Sequence, residues 1–265
     1  MSPNDWRDFL KKQLVFVLIA FVVILAISTP TAAAEQGKTI LEYKHDVTGD
    51  GKLDDIIVYG IPFKGDSPYY QKIWAEIKTF EGKKLKIDYE GGYEPKLDFA
   101  DLNHDGVDDI LYSSATGGSG GLYNYALHTA KGGEIKEIPL PTPLAVQGHF
   151  DQDFVAVIEI PGLGKPIILD LWDRRKDYIS IGLYQKNGQL NEPTELMIDP
   201  IAFFEVVKIK GKDGYGLKGY RQISGAYHAD QLGVVETDWY FENGDWQPVH
   251  IEWKPSEKSN LRKRR

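Results

Sequence analysis

Two short acidic loops contain the residues whose types and spacing are most suited to chemistry. The segments "DVTGDGKLD" from Asp46 and "DLNHDGVDD" from Asp101 share the order D-x-[TN]-x-D-G-x-x-D. Calcium takes about six to eight oxygen ligands, and a tight loop can supply them from alternate residues. We therefore predict one calcium site in each loop. The predicted ligands of the first are Asp46, Thr48, Asp50, the backbone carbonyl of Lys52, and Asp54, and those of the second are Asp101, Asn103, Asp105, the carbonyl of Val107, and Asp109.

These loops differ from EF-hands, which close the coordination sphere with a glutamate at loop position twelve and lie between two helices. The corresponding residues here are Ile57 and Tyr112, and both loops lead directly into strand-like sequence. No histidine or glutamate stands beside the predicted ligands as a base, so we expect a structural ion that holds strands together. Thr48 offers a neutral hydroxyl, so the first site should be the weaker one. The alternative is that both segments are plain Asx-type turns without an ion.

The segments around these loops have the pattern of β-strands. They are short and rich in β-branched and aromatic residues, as in "DIIVYGI", "KIWAEIKTF" and "VVETDWYF". Asn-Gly at positions 187–188 and 243–244 is typical of tight hairpin turns. No segment has a capped run of helical period. The sequence therefore predicts an all-β fold with few or no helices.

The acidic loops also indicate an internal repeat. They lie about 55 residues apart, and weaker echoes follow near Asp151 and Gly214. At the loop residues the sequence resembles the FG-GAP or VCBS repeat family, whose units carry such loops between the strands of integrin-α-like β-propellers. The resemblance implies bound calcium and a small β-propeller, or a propeller-like array, of about four units. A β-sandwich is the alternative fold.

The N-terminal segment has the features of a secretory signal peptide over residues 1–34. Basic residues precede an apolar run from Leu14 to Ile27, and small residues from Ala32 to Ala34 provide a cleavage site. The run is shorter than the roughly 20 residues that a spanning helix needs, so we expect cleavage and no membrane span afterwards. The alternative is a retained N-terminal anchor with the domain outside. Either way, the domain is expected to be secreted or at the cell surface.

The expected domain order after this segment is a β-repeat domain over residues 35–253 and a disordered basic tail over 254–265. The whole chain has 39 acidic and 31 basic residues, which argues against a nucleic-acid partner. It has no cysteine, which excludes disulfides, thiolate metal sites and a cysteine nucleophile. In this cysteine-free chain, the calcium loops would take the stapling role of disulfides.

These features favour an exported, non-enzymatic calcium-binding module that contacts an extracellular polysaccharide or protein. Trp172 and Trp239 are the candidates for an exposed aromatic platform. The alternative is a secreted hydrolase of a cell-wall polymer. Its active residues would be Ser119, in "GGSGG", or an Asp/His pair near His228. The segment after Ser119 alternates as a strand, whereas a nucleophile elbow needs a helix there, so a flexible loop is the favoured interpretation.

Overall fold

The computed structural model describes residues 37–118, 120–257 and 260–261. The predicted signal peptide, Ser119 and most of the basic tail lie outside these residues. Within the described part of the chain, no helix has the length and apolar character required to cross a bilayer.

The first eight strands form one antiparallel sheet that consists of two similar four-strand meanders. The first meander comprises β1 (Lys38–His45), β2 (Asp54–Pro62), β3 (Tyr69–Lys78) and β4 (Lys84–Tyr89). The second comprises β5 (Gly92–Ala100), β6 (Asp109–Ala115), β7 (Tyr123–Thr129) and β8 (Lys136–Ile138). In each meander an acidic loop connects the first strand to the second. The two loops of the sequence repeat are therefore equivalent positions in two copies of one structural unit.

The meanders are joined where the start of β3 pairs with the start of β5, through Tyr69 with Tyr93 and Tyr70 with Gly92. Alternate residues of β2, such as Ile56 and Val58, are fully buried, as the two-residue period of a strand requires. Together with inward-facing residues of β3 to β6 they form one hydrophobic cluster, so one face of the first meander packs against the second. The opposite face of the first meander is left uncovered by this cluster.

The remaining strands form two further four-stranded antiparallel sheets. One has the order β16, β11, β10, β9, and comprises β9 (Gln147–Asp151), β10 (Val155–Glu159), β11 (Ile167–Asp170) and β16 (Asn260–Leu261). The other comprises β12 (Met197–Lys208), β13 (Tyr215–Ser224), β14 (Gln231–Glu242) and β15 (Asp245–Pro255). Leu217 and Trp239 of this last sheet pack against the second meander, whereas Ile223 and Val235 pack against the sheet of β9 to β11. The last sheet thus contributes to two cores.

The all-β prediction is confirmed: the described residues form three antiparallel sheets. They form no closed barrel, and the four-unit propeller expected from the resemblance is wrong, because the first two units share one sheet. The only α-helix in the described residues is short, α1 (Arg175–Ser180). It replaces part of a segment with strand-like sequence, because Tyr178 is fully buried there and its hydroxyl donates a 2.6 Å hydrogen bond to Asp230.

Candidate functional site

The carboxylates of the first acidic loop accept hydrogen bonds from the backbone of their own loop. Asp46 accepts from the amides of Gly49 (2.7 Å) and Gly51 (2.8 Å). Asp54 is fully buried and accepts from the amides of Val47 (3.1 Å) and Thr48 (3.2 Å). The Asp46 bonds close a local turn, in which a short acidic side chain replaces a backbone acceptor. The Asp54 bonds instead connect the start of β2 to amides six and seven residues earlier.

The second loop repeats this arrangement. Asp101 accepts from the amides of Asp105 (3.0 Å) and Gly106 (2.9 Å). Asp109, also fully buried, accepts from the amides of Leu102 and Asn103, both at 3.0 Å, and from the Asn103 side-chain amide.

A lysine ammonium lies next to the second loop. Lys131 Nζ donates to the carbonyl oxygen of Asp105 at 2.5 Å and lies 3.5 Å from its carboxylate. Lys131 therefore partly neutralises the negative charge of the second loop.

This arrangement does not fit the expected oxygen cages. Among the described residues, no group of three or more Asp, Glu, His or Cys side chains is placed to hold a metal ion. The carboxylates point at amide hydrogens because each turn leaves several N–H groups in need of an acceptor. The prediction of a preformed metal-binding cluster is therefore wrong for the described residues. Calcium ligation by Asp46, Thr48, Asp50, Lys52 and Asp54, and by Asp101, Asn103, Asp105, Val107 and Asp109, stays a prediction. Whether added calcium has any effect is a prediction that the melting experiment in the Discussion tests.

The two loops nevertheless hold strands together, because they contact each other. The imidazole of His45, before the first loop, lies 2.7 Å from the carboxylate of Asp108 in the second. The His45 ring also stacks on Phe99, with centroids 4.5 Å apart. Gly49 lies so close to Val107 that a Cβ at position 49 would be 2.4 Å from its methyl group. Packing and hydrogen bonds thus hold the two loops together.

His104 connects the second loop to the last sheet. Its two ring nitrogens lie 3.0 Å from the carbonyl oxygen of Phe241 and 2.9 Å from that of Tyr215. Its ring stacks on Tyr240, with centroids 4.2 Å apart. The loop pattern does not predict this contact, since the side chain at this loop position usually points outward. The positive φ of His104, 59°, turns the side chain toward the sheet.

Burial shapes the electrostatics of the second loop. Removal from water raises the pKa of Asp109 from 3.8 to about 6. This value includes smaller opposing effects, because the backbone donors of Asn103 and Leu102 lower the pKa and the neighbouring carboxylates of Asp105 and Asp101 raise it. Desolvation is the largest of these effects, so the loop carries one acid whose charge changes near neutral pH.

The residues considered for catalysis are dispersed. Ser119 lies outside the described residues. His228 is exposed, and its Nδ1 lies 3.4 Å from the carboxylate of Asp199. Asp230, two residues further, instead forms a buried ion pair with Arg174. The hydroxyl of Ser224 donates to the backbone carbonyl of His228, so it is not aligned with the imidazole.

The two tryptophans singled out from the sequence have opposite environments. Trp239 is 3% exposed and belongs to the core between the second meander and the last sheet. Trp172 is 54% exposed, and the guanidinium of Arg175 lies 4.5 Å from its ring centroid. Neither forms a platform with a neighbouring aromatic ring along a strand.

An aromatic platform does exist on the uncovered face of the first meander, at Tyr59 and Trp74. These residues are directly opposite in the β2–β3 register, and their rings stack with centroids 5.5 Å apart and an interplanar angle of 20°. The indole N–H donates to Glu76 at 3.3 Å, and the Lys86 ammonium lies 5.5 Å from the indole ring. We call Tyr59, Trp74, Glu76 and Lys86 the aromatic face.

A groove of ≈ 630 Å³ adjoins the aromatic face. Its lining includes Tyr59 and Glu76 themselves, together with Ile57, Lys44 and Lys78. Alternation in β2 and β3 could have shown that Tyr59 and Trp74 point away from the core. Their adjacency depends on the pairing register, which no local pattern specifies.

Comparison with known proteins finds a family match in the C-terminal part of the chain and a similar protein that matches most of it. Residues 144–254 match the model of a family described as the YybI C-terminal domain. The chain is also 27% identical, over 205 residues, to the uncharacterized protein YybI of Bacillus subtilis (strain 168), across 75% of this chain and 78% of that protein. No solved structure matches. The similarity is thus to YybI, and the resemblance to FG-GAP or VCBS repeats is wrong.

Proposed function

We propose that this protein is an exported, non-enzymatic binding module whose aromatic face binds an extracellular polysaccharide. The observation that carries the proposal is the stacked Tyr59 and Trp74 pair beside the groove. The apolar faces of sugar rings pack well on flat aromatic surfaces, and their hydroxyls need polar partners nearby. Glu76 supplies an acceptor at the indole N–H, and the Lys86 ammonium over the ring supplies a donor.

The shape of this surface favours a polymer over a small compact ligand. The groove has the volume of ordinary ligand sites, about 300–1,000 Å³, but it lies on the face of a sheet and is not enclosed. Its charged residues carry both signs, as in the 2.5 Å pair of Lys44 with Asp55. Such a mixed surface supports hydrogen bonding to sugars more than attraction of a strongly charged partner.

We further propose that the two meanders form a β-sandwich that presents this face. Ile56 and Val58 of β2 share one hydrophobic cluster with Leu97 of β5 and Tyr112 of β6. Two layers that share a core in this way leave their outer faces available for binding. The second meander uses its outer face to pack on the last sheet, so the free outer face is that of the first meander.

Binding to insoluble cell-wall polysaccharide tests this function. Trp74→Ala should weaken binding by roughly 10-fold or more, because a stacked aromatic contact is among the strongest single contributors to an interface. Trp172→Ala is the matched control, since Trp172 is more exposed but lies away from the groove. Equal binding by both variants, or binding only to the protein fraction of surface extracts, would contradict the proposal.

A second candidate function is hydrolysis of a cell-wall polymer, which the His228–Asp199 pair favours. A buried carboxylate beside an exposed imidazole is the arrangement of a general base and its orienting group. Turnover of chromogenic esters or wall fragments that disappears in His228→Gln, but persists in His250→Gln, would support this candidate. Absence of turnover in the unmodified protein would leave the binding function alone.

A further inference from the structure

The loops of the first sheet are sorted between its two ends. The β1–β2 and β5–β6 acidic loops lie at one end, which we call the acidic end. The start of β1 lies at the opposite end, because Lys38 pairs with Gly60 at the end of β2. The β2–β3 loop (63–68) and the β6–β7 loop (116–122) lie at that same opposite end, since β3 and β7 begin there.

This opposite end is rich in exposed aromatic side chains, and we call it the aromatic end. Phe63 is 67% exposed and Tyr123 is 39% exposed. Phe63 contacts Tyr69 edge to face, with centroids 6.4 Å apart, and Tyr69 contacts Tyr93 in the same way at 5.1 Å. Removing these exposed rings from water would lower the free energy, so this surface is suited to an apolar or interfacial partner.

The position of the N-terminal apolar run in the sequence favours a membrane as the partner of this end. The apolar run that ends at Ile27 precedes β1 by ten residues, which span at most about 35 Å when extended. When that run is retained in a bilayer, the chain enters the β domain at the aromatic end. The acidic end is one strand length from this point of entry, roughly 26 Å for the eight residues of β1.

We propose that the aromatic end docks on the lipid surface, with Phe63 and Tyr123 inserted at the interface between headgroups and acyl chains. Aromatic side chains favour this region of a bilayer because one part of the ring is apolar and its polar edge stays hydrated. The proposal concerns the chain that keeps its N-terminal apolar run. It is independent of polysaccharide binding, since the aromatic face lies on the side of the first meander.

Electrostatics contribute little to this docking. The β2–β3 loop carries one base, Lys64, and one acid, Asp66. Glu90 and Glu94, beside the β4–β5 turn, add negative charge to the same end. Lys38 and Lys72 lie near the same end. Among the described residues of this end, the bases are thus balanced by acids, whereas attraction to anionic lipids needs a net basic cluster. We therefore expect docking on neutral lipids that does not weaken as salt is added.

The absence of cysteine permits a direct test with the full chain reconstituted in phosphatidylcholine vesicles. Phe63→Cys gives a single site for an environment-sensitive fluorophore, and nitroxide-labelled lipids in the same vesicles quench it on contact. The matched control is Leu53→Cys, because Leu53 is similarly exposed, at 60%, and lies at the acidic end. We expect quenching at position 63 to be at least about twofold stronger than at position 53, at low and high salt.

Tyr123→Cys provides a second position at the aromatic end, on a different loop. Strong quenching at both 63 and 123, with a weak signal at 53, supports docking of the whole end. Equal quenching at 53 and 63 overturns the proposal, because the domain would then have no preferred orientation. Stronger quenching at 53 would show that the acidic end faces the membrane.

Discussion

Replacement of Asp109 by alanine separates a hydrogen-bonded loop from a metal cage. The substitution removes the acceptor of the Leu102 and Asn103 amides and of the Asn103 side chain. Each buried donor left without a partner costs about 1–3 kcal/mol. Leu102 is fully buried, whereas Asn103 is reached by water, so we expect a total loss of about 2–4 kcal/mol in the free energy of unfolding.

The companion variant is Asp105→Ala, because Asp105 is exposed and accepts only one backbone bond in its loop, from Val107 at 3.1 Å. A hydrogen-bonded loop loses less than about 1 kcal/mol at this position. A calcium cage would lose a ligand in either variant, so both would abolish stabilisation by the ion. The ratio of the two effects therefore distinguishes the two explanations.

Thermal unfolding by calorimetry, with excess calcium and with a chelator, measures these differences. For a domain of this size each kcal/mol shifts the midpoint by about 2–4 °C, so Asp109→Ala should melt roughly 5–15 °C lower under both conditions. If hydrogen bonds alone hold the loops, the unmodified protein should melt at the same temperature with and without calcium. A midpoint that rises with calcium, and no longer does so in Asp105→Ala, would refute the hydrogen-bond explanation and restore the metal site.

Three further outcomes are expected. The raised pKa of Asp109, about 6, means that the folded state favours its protonated form, so its contribution is full below pH 3.8 and is lost as pH rises through 6. Urea unfolding of the unmodified protein and of Asp109→Asn should therefore show that lowering the pH from 7.5 to 4.5 stabilises the unmodified protein relative to the variant by about 2 kcal/mol. An unchanged difference between the two proteins would contradict this. His104→Ala should lower stability by about 2–3 kcal/mol and increase amide hydrogen exchange in β13 and β14, because two carbonyl partners and a stacked ring are lost. Asp230→Ala should cost about 3–5 kcal/mol, since it leaves the Arg174 guanidinium buried without its carboxylate, and a loss below 1 kcal/mol by urea unfolding would show that this pair is dispensable.

Several features of this fold were accessible from the sequence because they are local. The turn at Asn243-Gly244 is observed with positive φ at both residues, 57° and 83°, as the hairpin signal predicts. The acidic loops also occur where their repeat placed them, between the first two strands of each meander. Turn chemistry and the two-residue period depend on neighbours in the chain, so a short segment contains the information.

The roles of the same loops were not accessible, since they depend on distant contacts. The same acids at the same spacing suit either an ion or the amides of a turn, and the difference lies in where each carboxylate points. The partners of His104 lie more than a hundred residues away, in β13 and β14. The sequence likewise shows no reason why Trp172 is exposed while Trp239 is buried.

By itself, therefore, the sequence determined the all-β class, the hairpin turns and the repeated acidic loops, because these follow from interactions between near neighbours. Only the tertiary structure decided that the loops are closed by hydrogen bonds and that Tyr59 meets Trp74 on an uncovered face. It also decided which end of the first sheet displays Phe63. The physical reason is that strand register and the covering of each face are set by packing between segments far apart in the chain.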